Sequence, residues 1–539
     1  MSAPALRFLP AGARALLVEL PDLAHTLDLL AALQAAPPAG VTELVPAART
    51  VLVQFDPHRT RAPALRRAIA RLPLQRQASG GGARLEIPVR YDGADLLEVA
   101  ALLGIDVPEL IRRHTGQDYT VAFCGFAPGF AYLSGGHPSL DVPRRATPRT
   151  QVPAGAVALA GTFAAVYPDA TPGGWQLLGT TALRMWDLQR QPPALLQPGM
   201  RVRFVDGTST KIAAAAVQTS ASAQNDSKNE APAHSPALIV RAPGLQTLVQ
   251  DDGRPGQAAQ GISAAGALDR AALHRANRAV GNAPGLSALE ALAGGLQLAS
   301  VGGAVVAVTG ADGPLTLTAA DGRSWPVARH QPLALADGDV LTLGEPQAGL
   351  RSYVAVRGGL AVAPVLGSAS TDTLAKVGPP PLAAGQHLPI GAPPAAAVAW
   401  PGDAPPPELP RPGDTVTLDV VLGPRTDWFT PEAVALLAAQ PWQVTPRCDR
   451  IGLRLAGEVA LTRAVTHELP SEGTVTGAIQ VPASGQPVLF LADHPLTGGY
   501  PVIGCVAPHH LDLAAQIPPG AWIRFRPLAP FAEIEENEE

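Results

Sequence analysis

Cys124-Gly-Phe-Ala-Pro-Gly-Phe-Ala-Tyr-Leu133 opens a stretch that continues through Val142-Pro143-Arg144-Arg145, Pro148-Arg149, Val152-Pro153-Ala154-Gly155 and Thr171-Pro172-Gly173-Gly174-Trp175. Glycine permits positive φ and proline fixes φ, so their recurrence marks places where backbone shape is special. Aromatic side chains and three closely spaced arginines lie between them. From Gly116 onward short apolar runs alternate with Gly/Pro turns, the pattern of a barrel and not of a βαβ sheet. Two readings fit: a rigid, loop-built pocket for an anionic or amide-bearing ligand, or tight turns with arginines on a barrel rim.

Working outward, the segment before this stretch is mixed. Ala15 to Leu20 reads as a strand, and Asp22 caps a helix through Gln34 in which Leu27, Leu30 and Leu33 recur at helical spacing. Val41–Val45 and Thr50–Phe55 read as strands, and Pro63 opens a helix to Ala70. The order resembles a ferredoxin-like unit over 1–80. Gly80-Gly81-Gly82 marks its end. A strand over Leu85–Tyr91 and helices over Asp95–Leu103 and Val107–Thr115 lead into the barrel of 84–206, which Val202–Val205 closes. Residues 207–236 are rich in Ala, Ser, Thr, Asn and Gln without a hydrophobic period, the composition of a flexible linker.

The second half, 237–530, is again mostly β. Ala267–Val280 reads as one helix, Pro379–Pro412 as loop, and Thr430-Pro431 as the start of a short helix. Val481-Pro482-Ala483-Ser484-Gly485 followed by Gly498-Gly499-Tyr500 echoes Val152-Pro153-Ala154-Gly155 followed by Gly173-Gly174-Trp175. Chance and a duplicated barrel both account for so short an echo.

Composition excludes several classes. The 539 residues carry 40 Lys+Arg against 45 Asp+Glu, with no basic stripe for nucleic acid. Three cysteines, none in a CxxC pair, argue against a disulfide framework and a zinc site. No signal-peptide pattern opens the chain and no apolar run suits a membrane span, so a cytoplasmic location is the expectation. There is no GxxxxGK[ST] loop, no GxSxG elbow and no Met-Lys-Met biotin attachment setting.

Further motifs gather in the second half: Val249-Gln-Asp-Asp-Gly-Arg254, Gly266-Ala-Leu-Asp269, Ala276-Asn-Arg-Ala-Val-Gly-Asn282, Leu289-Glu290, Asp449-Arg-Ile-Gly-Leu-Arg-Leu455, Gly477-Ala-Ile-Gln-Val-Pro482 and Thr497-Gly-Gly-Tyr-Pro501. In order and spacing they resemble the C component of 5-oxoprolinase (allophanate hydrolase subunit 2). The stretch quoted first resembles the B component (allophanate hydrolase subunit 1), and both are related to the carboxyltransferase domain of urea carboxylase. The resemblance implies an α+β, mostly β chain with cyclophilin-like barrels in both halves. It departs from the family at Thr162–Ala165, Thr180 and His494–Leu496, which bears on substrate more than on fold.

The implied activity is the ATP-dependent opening of 5-oxoproline to L-glutamate, with ATP (and Mg) as cofactor and the separate A component of 5-oxoprolinase as partner. The alternatives are a carboxyltransferase of urea carboxylase type and a histidine-kinase inhibitor. Such a lactamase needs cations for carboxylate and phosphate charge, with Arg144, Arg149, Arg254, Arg450 and Arg454 as candidates. Asp251, Asp269, Glu290 and Asp493 are the candidates to place water. Phe126, Pro128, Phe130, Pro153, Tyr167, Gly173, Gly174, Gln480, Thr497, Gly498, Gly499 and Tyr500 complete the expected substrate site. For each arginine an ordinary surface ion pair is the competing reading.

Overall fold

Asp22 does cap the first helix: its carboxylate accepts from His25 N at 2.9 Å, and Leu23–Ala35 follows. In the computed structural model, which describes residues 6–74, 83–145, 147–207, 236–399, 403 and 408–535, this helix and Ala62–Ala70 pack on a four-stranded antiparallel sheet. The expected strands are present. An additional strand, Arg7–Pro10, forms a hairpin with Ala15–Glu19 at the sheet edge. The Gly80–Gly82 break and nearly all of the 207–236 segment lie outside the described residues.

A seven-stranded sheet follows. Its order is Gln176–Thr180, Ala156–Ala160, Phe163–Val166, Ala131–Ser134, Tyr119–Cys124, Arg201–Asp206, Arg84–Val89. A bridge between Arg90 and Thr180 joins its two edges and closes it. Near the C-terminus seven strands form a closed barrel in the order Val502–Val506, Ala478–Gln480, Val488–Phe490, Gly452–Ala456, Trp442–Val444, Trp522–Pro527, Thr415–Leu422. Taken in chain order, the two strand orders are the same. In both, the first and last strands pair in parallel, Arg84–Val89 with Arg201–Asp206 and Thr415–Leu422 with Trp522–Pro527. Each barrel also carries a two-stranded ribbon, Thr171–Gly173 with Arg149–Val152 and Glu472–Gly473 with Thr497–Gly498. The Val-Pro-Ala and Gly-Gly-aromatic echo thus falls in two barrels of one topology.

Between the barrels, strands from Ala237 to Pro389 build sheets of six and five strands around an aliphatic core. The helix begins at Arg270, later than Ala267, because Asp269 accepts from Ala272 N at 2.8 Å and so becomes its cap. The 379–412 segment holds a short strand, His387–Pro389, where only loop is expected. No helix among the described residues is long and apolar enough to cross a membrane.

The halves meet over a shared core. Leu9, Leu17 and Leu52 of the N-terminal sheet pack with Ala258 and Leu496. Each such leucine, fully buried, contributes about 1.5–3 kcal/mol. Buried Arg425 bonds Glu472 through Nε (2.9 Å to Oε2) and reaches Glu19 of the first half through Nη1 at 3.0 Å. Near the end of the chain, Ile534 N donates to Phe8 O at 2.8 Å.

Candidate functional site

After the strand Tyr119–Cys124 the chain makes a tight loop. Phe126 adopts φ 65°, and Gly125 N donates to Phe130 O at 3.1 Å. A non-glycine residue with positive φ is uncommon and marks backbone that the surroundings over-determine. The loop presents Phe126 edge-on to Phe130 and Tyr167, with Trp175 edge-on to Phe130. Gly173 is required here: a Cβ on it would lie 2.3 Å from the Tyr167 hydroxyl oxygen.

Two arginines beside this cluster are held by a residue outside the sequence motifs. Asp95 accepts from Arg145 Nη1 and Arg149 Nη2 through Oδ1, both at 2.6 Å, and from Leu177 N through Oδ2 at 2.7 Å. Burial alone would raise its carboxyl. The bonds from Arg149 and Leu177 N and the charges of both arginines outweigh that and hold it below the usual range. Arg149 Nη1 is buried and has no hydrogen-bond partner among the described residues.

Arg144 faces the other half. Its Nε pairs with Glu468 at 2.7 Å, its Nη2 donates to Ser471 Oγ at 3.3 Å, and a Cβ on Gly499 would lie 2.5 Å from its Nη1. Tyr132 OH also meets Ser471 Oγ, at 3.3 Å. Gly125 lies against Thr497, whose Oγ1 is buried and has no partner among the described residues. Gly498 lies against Gln480 Nε2, which donates to Tyr500 O at 3.3 Å. A further contact joins the halves where Gly129 N donates to Gln260 O at 3.0 Å. Phe126, Phe130, Tyr167, Gly173 and Arg144 therefore lie where the first half meets Gln480, Thr497, Gly498, Gly499 and Tyr500, and Arg149 pairs with Gly173 in the ribbon beside them. Pro128 is buried within the loop, Pro153 stands exposed at its turn, and Gly174 O accepts from Arg145 N at 2.8 Å. The seam offers a guanidinium N–H and a hydroxyl, both buried and unengaged, beside an aromatic wall. That set can hold a small ligand with carboxylate or amide oxygens.

The expected carboxylates do not join it. Asp493 and Glu290 clamp Arg450, with Asp493 accepting from its Nε and Nη2 at 3.0 and 2.9 Å and Glu290 from its Nη1. Glu290 also accepts from Tyr353 OH at 2.7 Å and Leu268 N at 3.0 Å. All three charged residues are buried. Burial lowers the Arg450 pKa, but Asp493 and Glu290 more than reverse this. Arg450 thus directs its donors to Asp493, Glu290 and Gly266 O within the protein. Asp251 accepts from Ser368 Oγ at 2.6 Å and from Ala369 N and Gly253 N, both at 2.7 Å, and so folds the 368–370 loop. Asp269 caps its helix and accepts from Gln516 Nε2 at 2.7 Å. The geometry thus gives all four a packing role. Buried Arg254 donates through Nη2 to Ser370 O, and exposed Arg454 lies on a barrel strand. Among the described residues one close group of metal-ligating side chains occurs, Asp419 with His509 and His510. There Arg526 bonds the carboxylate at 2.6 Å and Asp419 N donates to His510 Nδ1 at 2.8 Å, engaging that lone pair.

Sequence reasoning misses Asp95, Glu468, Ser471 and Tyr132. Asp95 carries a signal, a carboxylate ahead of a helical run, but that signal means a cap. Ser471 and Glu468 carry none, because only folding brings them to Arg144.

Comparison with known proteins agrees with this two-part build. Residues 6–196 match the carboxyltransferase domain, subdomain C and D, and residues 260–527 match the carboxyltransferase domain, subdomain A and B. The chain is 38% identical to the C component of Escherichia coli 5-oxoprolinase over 298 residues, 53% of this chain and 89% of that relative. It is 50% identical to the B component of Escherichia coli 5-oxoprolinase over 124 residues, 22% of this chain and little more than half (57%) of that relative. The solved structure of TTHA0988 superposes with a TM-score of 0.79 at 35% identity, covering 95% of this chain and 99% of that one. The chain belongs to the carboxyltransferase-domain family of the 5-oxoprolinase components, with a B-like half followed by a C-like half in one polypeptide.

Proposed function

We propose that this chain is the fused B–C component of an ATP-dependent 5-oxoprolinase, opening 5-oxoproline to L-glutamate together with a separate A-type component. The carrying observation is the seam, where Arg144 reaches Glu468 and Ser471 and the motif residues of both halves converge. In this reading Arg149 Nη1 and Thr497 Oγ1 take the carboxylate and lactam oxygens, and the aromatic wall packs against the ring. Side chains held in place by Asp95 and by the seam bind without much further ordering, which favours affinity.

The seam does not fit Mg–ATP. Its nearby carboxylates, Asp95 and Glu468, are bound to arginines, and the chain lacks a glycine-rich phosphate loop with its lysine. We therefore place nucleotide binding on the partner and assign this chain the lactam. The test is glutamate release from 5-oxoproline by the chain plus an A-type component, with and without ATP. Release only with both proteins and ATP supports the reading, and none under those conditions refutes it. The family match also favours a second reading, carboxyl transfer of urea carboxylase type. The chain is 30% identical to the urea amidolyase of Lachancea kluyveri over 54% of its length, though only 17% of that relative. Consumption of carboxybiotin in place of 5-oxoproline would select it.

A further inference from the structure

A concave site lined by neither Arg144 nor Arg149 lies where three parts of the chain meet. A cleft of about 450 Å³ opens between the Ala11–Ala15 turn and Thr42–Glu43 of the first half, the 252–270 segment, and the end of the C-terminal barrel. That is a size suited to small ligands, and junctions between domains are where such clefts favour binding. Its walls are closely fitted: a Cβ on Gly12 would approach Cys505 Cβ to 3.2 Å. One wall includes Ala265, a non-glycine residue at φ 51°.

The charges on these walls are incompletely matched. Half-buried Glu43 accepts from Ala258 N at 3.0 Å and has no cationic partner among the described residues. Burial raises its carboxyl pKa, and the main-chain N–H groups of Ala258 and Gly256 oppose this. Asp252 is paired with His274 at 2.7 Å, and Asp512 accepts from Arg270 N at 2.9 Å. Arg14 and Arg270 are exposed on the walls, and neither pairs with a carboxylate among the described residues.

We infer that this cleft is a binding site for a small zwitterion, an amino acid whose ammonium group pairs with Glu43 and whose carboxylate is held by Arg14 and Arg270. The inference stands on the cleft alone and does not depend on the activity proposed for the seam. Titration calorimetry of the full chain with L-glutamate and with glutarate, which lacks the ammonium, tests it. The expected result is saturable L-glutamate binding with glutarate at least tenfold weaker. Glu43→Gln and Arg14→Ala should each weaken L-glutamate binding about tenfold or more, or about 1.4 kcal/mol. Arg323→Ala, exposed and outside both the cleft and the seam, should leave it unchanged. Arg14 is exposed, so its variant keeps the test readable if Glu43→Gln folds poorly. Absence of saturable binding, equal binding of glutarate, retention by Arg14→Ala or by a folded Glu43→Gln, or loss in Arg323→Ala would overturn the assignment.

Discussion

Arginine does two kinds of work in this molecule, and burial separates them. Arg450 lies between Glu290 and Asp493 with its bonds directed inward. Arg450→Met would leave two buried carboxylates without their cation, a loss of about 3–5 kcal/mol. Chemical denaturation should show a large fall in stability, and an unchanged midpoint would contradict the structural role. Arg144 is partly exposed, so Arg144→Ala should cost at most about 1 kcal/mol of stability. Asp269 supplies a pH test at the same scale. Burial, with Asp512 adding, pushes its carboxyl up to about 6, against the bonds from Gln516 and Ala272 N. A raised carboxyl contributes stability that is complete below its ordinary value of 3.8 and is lost as pH rises through about 6. The stability of the wild type relative to Asp269→Asn should therefore decline between pH 4 and pH 7, by roughly 3 kcal/mol at most. Parallel pH profiles would contradict the assignment.

Among elements, local signals are legible in the sequence and long-range pairings are not. The caps at Asp22 and Thr430 can be read directly, because a cap involves only the next three residues. The pattern over Ala267–Val280 places the helix start too early, because Glu290, more than twenty positions on, holds Leu268 N outside it. Strand His387–Pro389 is too short for an alternating pattern to appear. The Val-Pro-Ala and Gly-Gly-aromatic echo marks two like barrels, yet the strand order that establishes the likeness rests on non-local registers. Asp95 shows the same limit within the site: it stands at the start of helix Leu96–Leu102 but caps nothing, and turns to Arg145 and Arg149. In the proposed reading it is a positioning residue. Asp95→Asn should raise KM for the lactam about tenfold with a smaller effect on kcat, since a charge-assisted bond is worth about 1.5–3 kcal/mol. Equal KM values would make it purely structural.

For the whole molecule, the claim is that neither half is complete. The first half brings Arg144, Arg149 and the aromatic wall. The second brings Ser471, Gln480, Thr497 and the Gly498-Gly499-Tyr500 run. Shared burial around Leu9, Leu17 and Leu496 and the Arg425–Glu472–Glu19 network hold them together independently of chain continuity. A chain cut at a protease site inserted in 208–235 should therefore elute as one complex at low micromolar concentration. Separation into two species would show that the interface is weak.

The most direct measurement is kcat/KM for ATP-dependent glutamate release, with an A-type partner, by wild-type chain and by Arg144→Ala of matched thermal stability. The shared-seam account predicts a fall of about tenfold or more, because the guanidinium that links the halves beside the ligand is removed. An Arg144→Ala enzyme with wild-type kcat/KM would contradict it and leave the first half as a binding or regulatory module.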